Sequence, residues 1–170
     1  MTDRPIADEY RIDVFAESSV TADDVLALWQ REGAIVERDE AVRRVQEVLV
    51  ASVHVPTGEL VGVSSAYLAS SPQLRMNLWW MRALVAADHR RQLLARAMTQ
   101  RSIDWLEHRF VTGADRRGSG VALIGQNDEL KRTRTEAVLP GSRFMFIGET
   151  ERGHRIRVRY FAGAEVPLPS

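Results

Sequence analysis

The sequence predicts an α/β fold in which about seven strands and about four helices follow the order β-α-α-β-β-β-α-β-α-β-β. Three observations give this prediction. Short apolar or alternating runs bounded by turn residues indicate strands, and longer stretches with apolar residues at helical spacing indicate helices. Glycine and proline in the short turns between neighbouring strand runs indicate hairpins. Hairpins combined with a strand-helix-strand connection predict a mixed sheet.

The N-terminal third is predicted to contain one strand and two helices. Tyr10 to Phe15 alternates between apolar and polar residues, as a strand does. Thr21 and Asp24 have the spacing of a capping box, and Gly33 has the position of a helix stop. Arg38 to Leu49 is predicted as the second helix. The apolar faces are Val25, Leu28 and Trp29 in the first helix, and Val42, Val45 and Leu49 in the second.

The middle of the chain is predicted to hold a hairpin followed by a strand, a turn and a long helix. Val50 to Val55 and Leu60 to Leu68 are the hairpin strands, joined by a Pro-Thr-Gly-Glu turn. The apolar run from Leu78 to Val85 suits a strand that is buried on both faces. The polar turn from Asp88 to Arg91 then leads into a helix that ends near Phe110.

The C-terminal third is predicted to add a strand, a short helix and a second hairpin. Val121 to Gly125 suits a short buried strand. Asp128 to Val138 suits a short helix, which Pro140-Gly141 ends. Arg143 to Glu149 and Arg155 to Phe161 are the strands of the second hairpin.

Composition limits the class of protein. The 170 residues suit a single domain, from residue 1 to residue 170, with a core from about residue 10 to about residue 161 and loose termini. The 23 Lys and Arg balance the 23 Asp and Glu, so no overall field draws the chain to nucleic acid. The absence of cysteine excludes disulfides and thiolate metal sites, and no pair of the four histidines has metal-ligand spacing. No apolar run has the length of a membrane span and the polar N-terminus lacks the apolar core of a secretory signal, so we expect a cytoplasmic protein that binds neither a metal nor a membrane.

The strand-turn-helix segment from Leu78 to Leu106 predicts an anion site. A helix start offers backbone N–H groups without internal partners, and the helix dipole favours negative charge there. Arg90 and Arg91 add positive charge. His89 either adds another donor or is a surface histidine. The alternative is that the segment binds nothing, because every strand-turn-helix unit has such a start.

This segment resembles the acyl-CoA-binding motif of the GNAT acyltransferase superfamily. In that family, a valine near the end of the fourth strand precedes a turn of the form Q/R-x-x-G-x-G/A that opens a helix. Val85 stands at the valine position, Arg90 and Ala95 match the ends of the turn, and Leu93 replaces the first glycine. The order of elements from Tyr10 to Phe161 also resembles the GNAT fold, which implies a twisted, mostly antiparallel mixed sheet.

The resemblance implies an acyl-CoA-dependent N-acyltransferase that moves an acetyl group from acetyl-CoA to an amine of a small molecule or a protein. The diphosphate would lie on the backbone N–H groups of Arg90 to Ala95, and the pantetheine arm between strands at Leu84-Val85 and at Gly125 to Asn127. Asn127 would touch the cofactor, although a helix cap or turn residue is the alternative. The resemblance thus assigns cofactor binding to Leu84, Val85, Arg90, Arg91, Gln92, Leu93, Leu94, Ala95 and Asn127.

The catalytic residues stay unassigned. Enzymes of the family often carry a glutamate on the fourth or fifth strand and a tyrosine in the helix after the fifth. Leu78 to Val85 and Val121 to Gln126 contain no Asp or Glu, and Asp128 to Val138 contains no Tyr. The alternative is therefore a non-catalytic GNAT-fold module that binds CoA or a protein partner, and a homodimer stays open.

A third hypothesis rests on a basic stretch near the C-terminus. Arg155, Arg157 and Arg159 alternate with apolar residues, so they project from one face of the last strand. This face is a nucleic-acid surface, a site for an acidic acceptor or partner, or an ordinary solvated surface. The balanced charge of the chain disfavours nucleic acid as the partner.

Overall fold

The computed structural model describes residues 6–35, 37–90, 92–126 and 128–169. Its strands are β1 (Tyr10–Val14), β2 (Val48–His54), β3 (Glu59–Ser71), β4 (Met76–Val85), β5 (Gly120–Gly125), β6 (Met145–Glu149) and β7 (Arg155–Tyr160). Its helices are α1 (Ile6–Glu9), α2 (Ala22–Arg31), α3 (Arg38–Val45), α4 (Gln92–Val111) and α5 (Asp128–Thr133), with 3-10 turns at Phe15–Glu17 and Ala87–His89. The strands form one seven-stranded sheet in the order β1-β2-β3-β4-β5-β7-β6.

The sheet is mixed and mostly antiparallel, as predicted. β1 pairs antiparallel with β2, β2 with β3, β5 with β7 and β6 with β7. β4 and β5 are parallel, with Trp79 opposite Val121 and Trp80 opposite Ala122. Parallel neighbours need a crossover connection, and α4 supplies it. The predicted fold class and order of elements are therefore confirmed, with the one-turn α1 as an addition.

The chain divides into two compact units. Unit 1 comprises Met1–Ala66 and Arg82–Trp105, and unit 2 comprises Tyr67–Met81 and Leu106–Ser170. β3, β4 and α4 each contribute residues to both units. Within the described ranges, none of the helices combines the length and the apolar character that a membrane crossing requires.

The second helix, α2, begins and ends where the sequence predicts. The Asp24 N–H donates to the Thr21 hydroxyl at 3.2 Å, and the Thr21 N–H donates to the Asp24 carboxylate at 2.8 Å, which completes the capping box. Gly33 follows the helix with a φ of 63°, in the left-handed region that favours glycine. The predicted stripe of Val25, Leu28 and Trp29 is buried.

This capping box makes stability depend on acid. Hydrogen bonds from the Thr21 backbone and hydroxyl lower the pKa of Asp24. A carboxylate with a lowered folded-state pKa adds stability that is present above its ordinary pKa and is lost as the pH falls through the folded-state value. We expect Asp24→Ala to lower the free energy of unfolding by about 1 kcal/mol at pH 7, and by less at each step below about pH 4.

Urea unfolding of wild type and Asp24→Ala at several pH values measures this difference. The neighbouring Asp23 is an exposed acid of the same first turn, so Asp23→Ala is the control for the helix dipole alone. An Asp24→Ala effect of the same size at pH 2.5 and pH 7 contradicts the prediction.

The third helix, α3, is shorter than predicted. It ends at Val45, and β2 begins at Val48. Its buried residues are Ala41 and Val45, whereas Val42 is half exposed. Leu49 lies in β2 instead of the helix because β2 pairs with β3 from Val48 onward. The end of the helix that was predicted from the spacing of apolar residues is therefore wrong, because strand pairing outweighs helical spacing at Val48 and Leu49.

Two other boundaries differ from the prediction for the same physical reason. Ile6–Glu9 is one helical turn rather than a loose tail, and the Val55 N–H donates to the Glu9 carbonyl at 2.8 Å. α5 ends at Thr133 rather than Val138, and Val138 forms a β-bridge with Met145. In both places, the changed boundary goes with backbone pairing to another segment of the chain.

The central strands are buried only in part, which corrects the prediction of strands covered on both faces. In β4 the exposed residues are Asn77, Arg82 and Ala83. Arg82 makes an ion pair with Glu47, with 3.5 Å between Nη1 and Oε2. β5 is buried at its start and exposed at Ile124 and Gly125. Arg82, a charged residue inside the apolar run from Leu78 to Val85, was the sequence signal for the partial exposure of β4.

Each unit has its own core. In unit 1, α4 packs against β3 where Gly62 leaves room, because a Cβ there would lie 2.9 Å from Met98 Sδ. The buried hydroxyls of Ser64 and Ser102 are 3.0 Å apart at the same contact. In unit 2, a cluster of buried residues is extended by half-buried apolar neighbours. The buried members of that cluster are Leu78, Ala122 and Val158.

Candidate functional site

The segment between β4 and α4 is a tight turn in unit 1. The Ala86 N–H donates to the Val61 carbonyl at 2.7 Å, so the chain is still tied to β3 as it leaves β4. Ala87–His89 is one turn of 3-10 helix, and Arg90 follows it with φ −66° and ψ 89°. α4 then starts at Gln92. We call Ala86–Leu94 the entry turn, because it carries the chain into α4.

A carboxylate from α2 contacts the entry turn. The Ala87 N–H donates to Glu32 Oε2 at 3.0 Å. Glu32 directly follows α2, and its side chain is only 11% exposed. Its other oxygen, Oε1, lies 3.5 Å from Nε of Arg31. The negative charge is therefore partnered on both oxygens.

A phenol from β1 contacts the entry turn at a second point. Tyr10 Oη lies 3.0 Å from His89 Nδ1, and the two rings meet edge to face with centroids 5.8 Å apart. His54 packs on His89 with ring centroids 4.8 Å apart, and its own Nδ1 lies 2.9 Å from the Thr57 hydroxyl. His89 is thus half-buried in an aromatic cluster and is not the free surface histidine that was one alternative.

Known structures share this arrangement of elements, although sequence comparison finds no relative. No protein-family model and no curated protein matches the sequence. The structure is similar to ribosomal-protein-S5-alanine acetyltransferase from Vibrio fischeri, with a TM-score of 0.60 and 11% identity over 92% of this chain and 96% of that chain. It is also similar to the GNAT family N-acetyltransferase YhbS from Escherichia coli in complex with CoA, with a TM-score of 0.55 and 19% identity over 92% and 84% of the two chains. Arabidopsis thaliana NAA60 in complex with acetyl-CoA matches with a TM-score of 0.55 and 13% identity over 91% and 98%.

The protein has the GNAT fold. Identities this low establish a shared fold and leave activity to be argued from the site. The resemblance that the sequence suggested from Tyr10 to Phe161 is confirmed at the level of the fold.

Within this GNAT fold, most of the predicted cofactor-binding residues lie on the entry turn or beside it in unit 1. Val85 and Leu94 are buried, Leu84 and Ala95 are half-buried, and Arg90 is exposed. Arg91 and Asn127, together with the side chain of Gln92, lie outside the described residues, so their predicted roles stay predictions. Leu93, which replaces the motif glycine, is 57% exposed and therefore contributes little to the core.

The Arg90 side chain forms a hydrogen bond with a backbone carbonyl close to it in sequence. Its Nε donates to the Val85 carbonyl at 3.3 Å, so the guanidinium folds back over the end of β4. A bent side chain of this kind keeps its positive charge beside the start of α4, where a helix dipole already favours an anion. The motif arginine therefore lies against the end of β4, and its role in anion binding stays a prediction.

The sequence analysis missed the side chains that hold the entry turn. No sequence pattern singles out Glu32, and Tyr10 is predicted only as a strand residue. Their partners Ala87 and His89 lie 55 and 79 residues away in sequence. No local pattern encodes contacts over such distances, so only the folded chain reveals them.

The basic stretch on β7 is not a solvated surface, which corrects one of the sequence alternatives. Arg157 and Arg159 are buried. Arg155 Nη1 and Arg157 Nη2 donate to the Arg134 carbonyl at 2.9 and 3.1 Å. Burial and the neighbouring charge of Arg155 lower the pKa of Arg157. These arginines thus fasten the segment after α5 to β7.

A second basic side chain in unit 2 is stacked on an aromatic ring. The Arg117 guanidinium carbon lies 5.4 Å from the centroid of the Trp79 ring. Asp115 holds this guanidinium through contacts of 3.0 and 2.7 Å, and the hydrogen bond from Arg117 lowers the pKa of Asp115. Gly118 permits the approach, because a Cβ there would lie 2.5 Å from Trp79 Nε1.

Acid-base chemistry has no evident carrier in β4 or β5, as the sequence already indicated. A titratable pair of unit 2 is formed by Lys131 and His154, with 3.1 Å between Nζ and Nδ1. Among the residues that the structure describes, no group of three or more His, Asp or Glu side chains could hold a metal ion. The catalytic residues therefore remain unassigned.

Proposed function

We propose that this protein is an acyl-CoA-dependent N-acyltransferase that moves an acetyl group from acetyl-CoA to an amine of a small molecule or a protein. The observation that carries the proposal is the entry turn. In a chain with the GNAT fold, Val85 ends β4 and Gln92 to Ala95 begin α4. Two neighbours of the same fold, YhbS and NAA60, were solved with CoA or acetyl-CoA, which supports an acyl-CoA ligand here.

The chemistry required is acyl transfer. The amine nitrogen attacks the thioester carbonyl carbon, the C–N bond forms, and the C–S bond breaks with the electron pair leaving on sulfur. Backbone N–H donors must stabilise the oxyanion of the tetrahedral intermediate. A base must take the proton from the amine, and the CoA thiolate needs a proton. Neither proton carrier is assigned, and a water relay is the arrangement that we propose.

Acetyl-CoA is expected to raise the Tm of the protein. A ligand that binds only the native state stabilises it by about 2.7 kcal/mol at a concentration 100 times its Kd. Thermal unfolding with and without millimolar acetyl-CoA measures the shift, and calorimetric titration measures the Kd. ATP at the same concentration is the control for unspecific polyphosphate binding. If acetyl-CoA causes no shift in Tm and no heat of binding, the proposal is overturned.

Leu93→Gly is expected to tighten acetyl-CoA binding. Glycine lets the backbone come closer to a diphosphate, and the exposed leucine side chain packs little that would be lost. The variant also loses roughly 1 kcal/mol of helix stability. Arg101→Gly, at an exposed position of the same helix, is the control for that loss. An equal or larger Kd for Leu93→Gly would show that the leucine is accommodated.

The second candidate function is a non-catalytic module that binds acyl-CoA or a protein partner. The absence of Asp and Glu from β4 and β5 favours it. Release of free CoA thiol in the presence of amines separates the two candidates, because only a transferase consumes acetyl-CoA. Nucleic-acid binding through the β7 arginines stays a third proposal, and it is disfavoured because Arg155 and Arg157 donate to a backbone carbonyl. A cytoplasmic location and a homodimer stay proposals.

A further inference from the structure

The entry turn keeps its shape without the first glycine of its family motif. Leu93 stands at that position, and it is exposed on the outside of α4. In a glycine-rich turn the backbone itself is free to approach an anion. In this chain, two polar side chains from elsewhere in unit 1 contact the turn, in addition to the backbone bond between the Ala86 N–H and the Val61 carbonyl. They belong to Glu32 and Tyr10.

Glu32 fixes the first half of the turn. A backbone N–H bonded to a carboxylate makes a charge-assisted hydrogen bond, which is stronger than one to a neutral acceptor. The contact to the Ala87 N–H is 3.0 Å long, and the Glu32 side chain that makes it is only 11% exposed, although Ala87 itself is exposed. Arg31 orients the carboxylate and is itself held by Glu59 at 2.6 Å and by the Leu60 carbonyl at 3.3 Å. The end of α2, the start of β3 and the entry turn are therefore joined in one network.

Tyr10 fixes the second half of the turn. Its ring is buried at the start of β1, so its hydroxyl position is set by the sheet. The hydroxyl lies 3.0 Å from His89 Nδ1, and His89 directly precedes Arg90. His54 supports the same imidazole from β2. The His89 side chain is thus held by residues of two neighbouring strands, Tyr10 of β1 and His54 of β2.

We infer that Glu32 and Tyr10 are positioning residues for the diphosphate of the acyl-CoA. They hold Ala87 and His89 so that the N–H groups at the start of α4 face the ligand before it arrives. A preorganised turn does not lose conformational entropy on binding, which is how such contacts raise affinity without touching the ligand. This inference rests on the proposed function, because it assumes that the diphosphate binds at the entry turn.

Two variants of Glu32 separate positioning from charge. Glu32→Ala removes the acceptor of the Ala87 N–H. Glu32→Gln keeps a carbonyl acceptor at the same reach and removes the negative charge, which would repel a diphosphate. We expect Glu32→Ala to weaken acetyl-CoA binding about tenfold and Glu32→Gln to bind at least as tightly as wild type. Tyr10→Phe, which removes only the hydroxyl, is expected to weaken binding about threefold.

The experiment has two readouts on the same variants. Hydrogen exchange followed by mass spectrometry reports the protection of peptides that cover residues 86–94 in the ligand-free protein. Calorimetric titration with acetyl-CoA reports the Kd. Glu40→Ala is the matched control, because Glu40 is an exposed acid of α3 whose partner, Arg44, lies on the same helix at 3.4 Å. Circular dichroism confirms that each variant is folded.

For Glu32→Ala, we expect faster exchange in the turn together with weaker binding. For Glu32→Gln, we expect a smaller increase in exchange and binding at least as tight as that of wild type, and for Glu40→Ala we expect wild-type values. Unchanged exchange for Glu32→Ala would overturn the positioning role, whether or not acetyl-CoA binds. Faster exchange with an unchanged Kd would show that Glu32 holds the turn without affecting ligand binding, which would overturn its role in positioning the diphosphate site. If wild type binds no acetyl-CoA, the proposed function fails and this role fails with it, while the exchange data still test how the turn is held.

Discussion

Gly120→Ala is expected to lower the free energy of unfolding by about 3 kcal/mol or more. Gly120 starts β5, and a Cβ there would lie 2.5 Å from the Arg159 carbonyl oxygen and 2.9 Å from Tyr160 Cα. Both atoms belong to the backbone of β7, so neither can turn aside as a side chain would. The strand pair would have to separate at Gly120, and the buried cluster beside it would loosen.

Urea unfolding measures the effect, and β5 contains its own control. Gly125→Ala places a Cβ 3.7 Å from the Arg155 carbonyl oxygen, which is an ordinary van der Waals contact. Gly125 does not have a left-handed φ, so alanine is not strained there. We expect Gly125→Ala to change stability by less than about 0.5 kcal/mol. Similar losses of unfolding free energy for the two variants would contradict the predicted clash of a Cβ at Gly120 with the backbone of β7.

Glu107→Ala is expected to lower the free energy of unfolding by about 3 kcal/mol. The Glu107 carboxylate lies 3.4 Å from the buried Arg159 guanidinium, and its other oxygen accepts the Ala162 N–H at 2.8 Å. Removing one member of a buried ion pair leaves the other charge in a poorly solvated place. The Ala162 N–H is exposed, so water can replace its lost acceptor and the ion pair accounts for the effect.

The control for this prediction is an acid that faces a neighbouring arginine of the same strand. Glu149 lies 4.0 Å from Arg155, and its side chain is 52% exposed, compared with 20% for Glu107. Surface ion pairs contribute about 0–1 kcal/mol, so Glu149→Ala should have a small effect. Thermal and urea unfolding of both variants decide the matter. A Glu107→Ala effect no larger than that of Glu149→Ala would show that the pair is not buried in solution.

Local signals predicted much of the fold. The capping box of Thr21 and Asp24, the stop at Gly33 and the turn at Gly58 depend on residues near in sequence, and the structure has each of them. The order of the elements then led to the fold class, because few sheet topologies fit a strand-helix-strand connection between hairpins.

Backbone pairing with other segments explains where the predicted ends of the helices were wrong. Val48 and Leu49 fit the helical spacing of α3, but hydrogen bonding to β3 places them in a strand. Val138 fits an extended α5, but it pairs with Met145. The alternation of the β7 arginines correctly indicated a common face. Arg155 and Arg157 donate to the Arg134 carbonyl, which lies in the segment predicted to be helical, so neither this contact nor the burial of the face was predictable.

In the candidate site too, local motifs were predictable from the sequence and contacts between distant residues were not. Val85, Arg90 and Ala95 are recognisable because their motif is short and local. Glu32 and Tyr10 contact the same turn from other elements, so no motif includes them. Sequence reasoning therefore found the residues that would lie beside a ligand and missed those that hold the turn in place.

The central claim is that the entry turn binds the diphosphate of acetyl-CoA. Amide NMR of the nitrogen-15-labelled protein tests it most directly, with acetyl-CoA added in one titration and pantetheine, which lacks the diphosphate, in another. Acetyl-CoA is predicted to shift the amide signals of Ala87, His89 and Leu93 to Ala95 most strongly, and pantetheine is predicted to leave them in place. Binding of acetyl-CoA without shifts at these amides would contradict the claim.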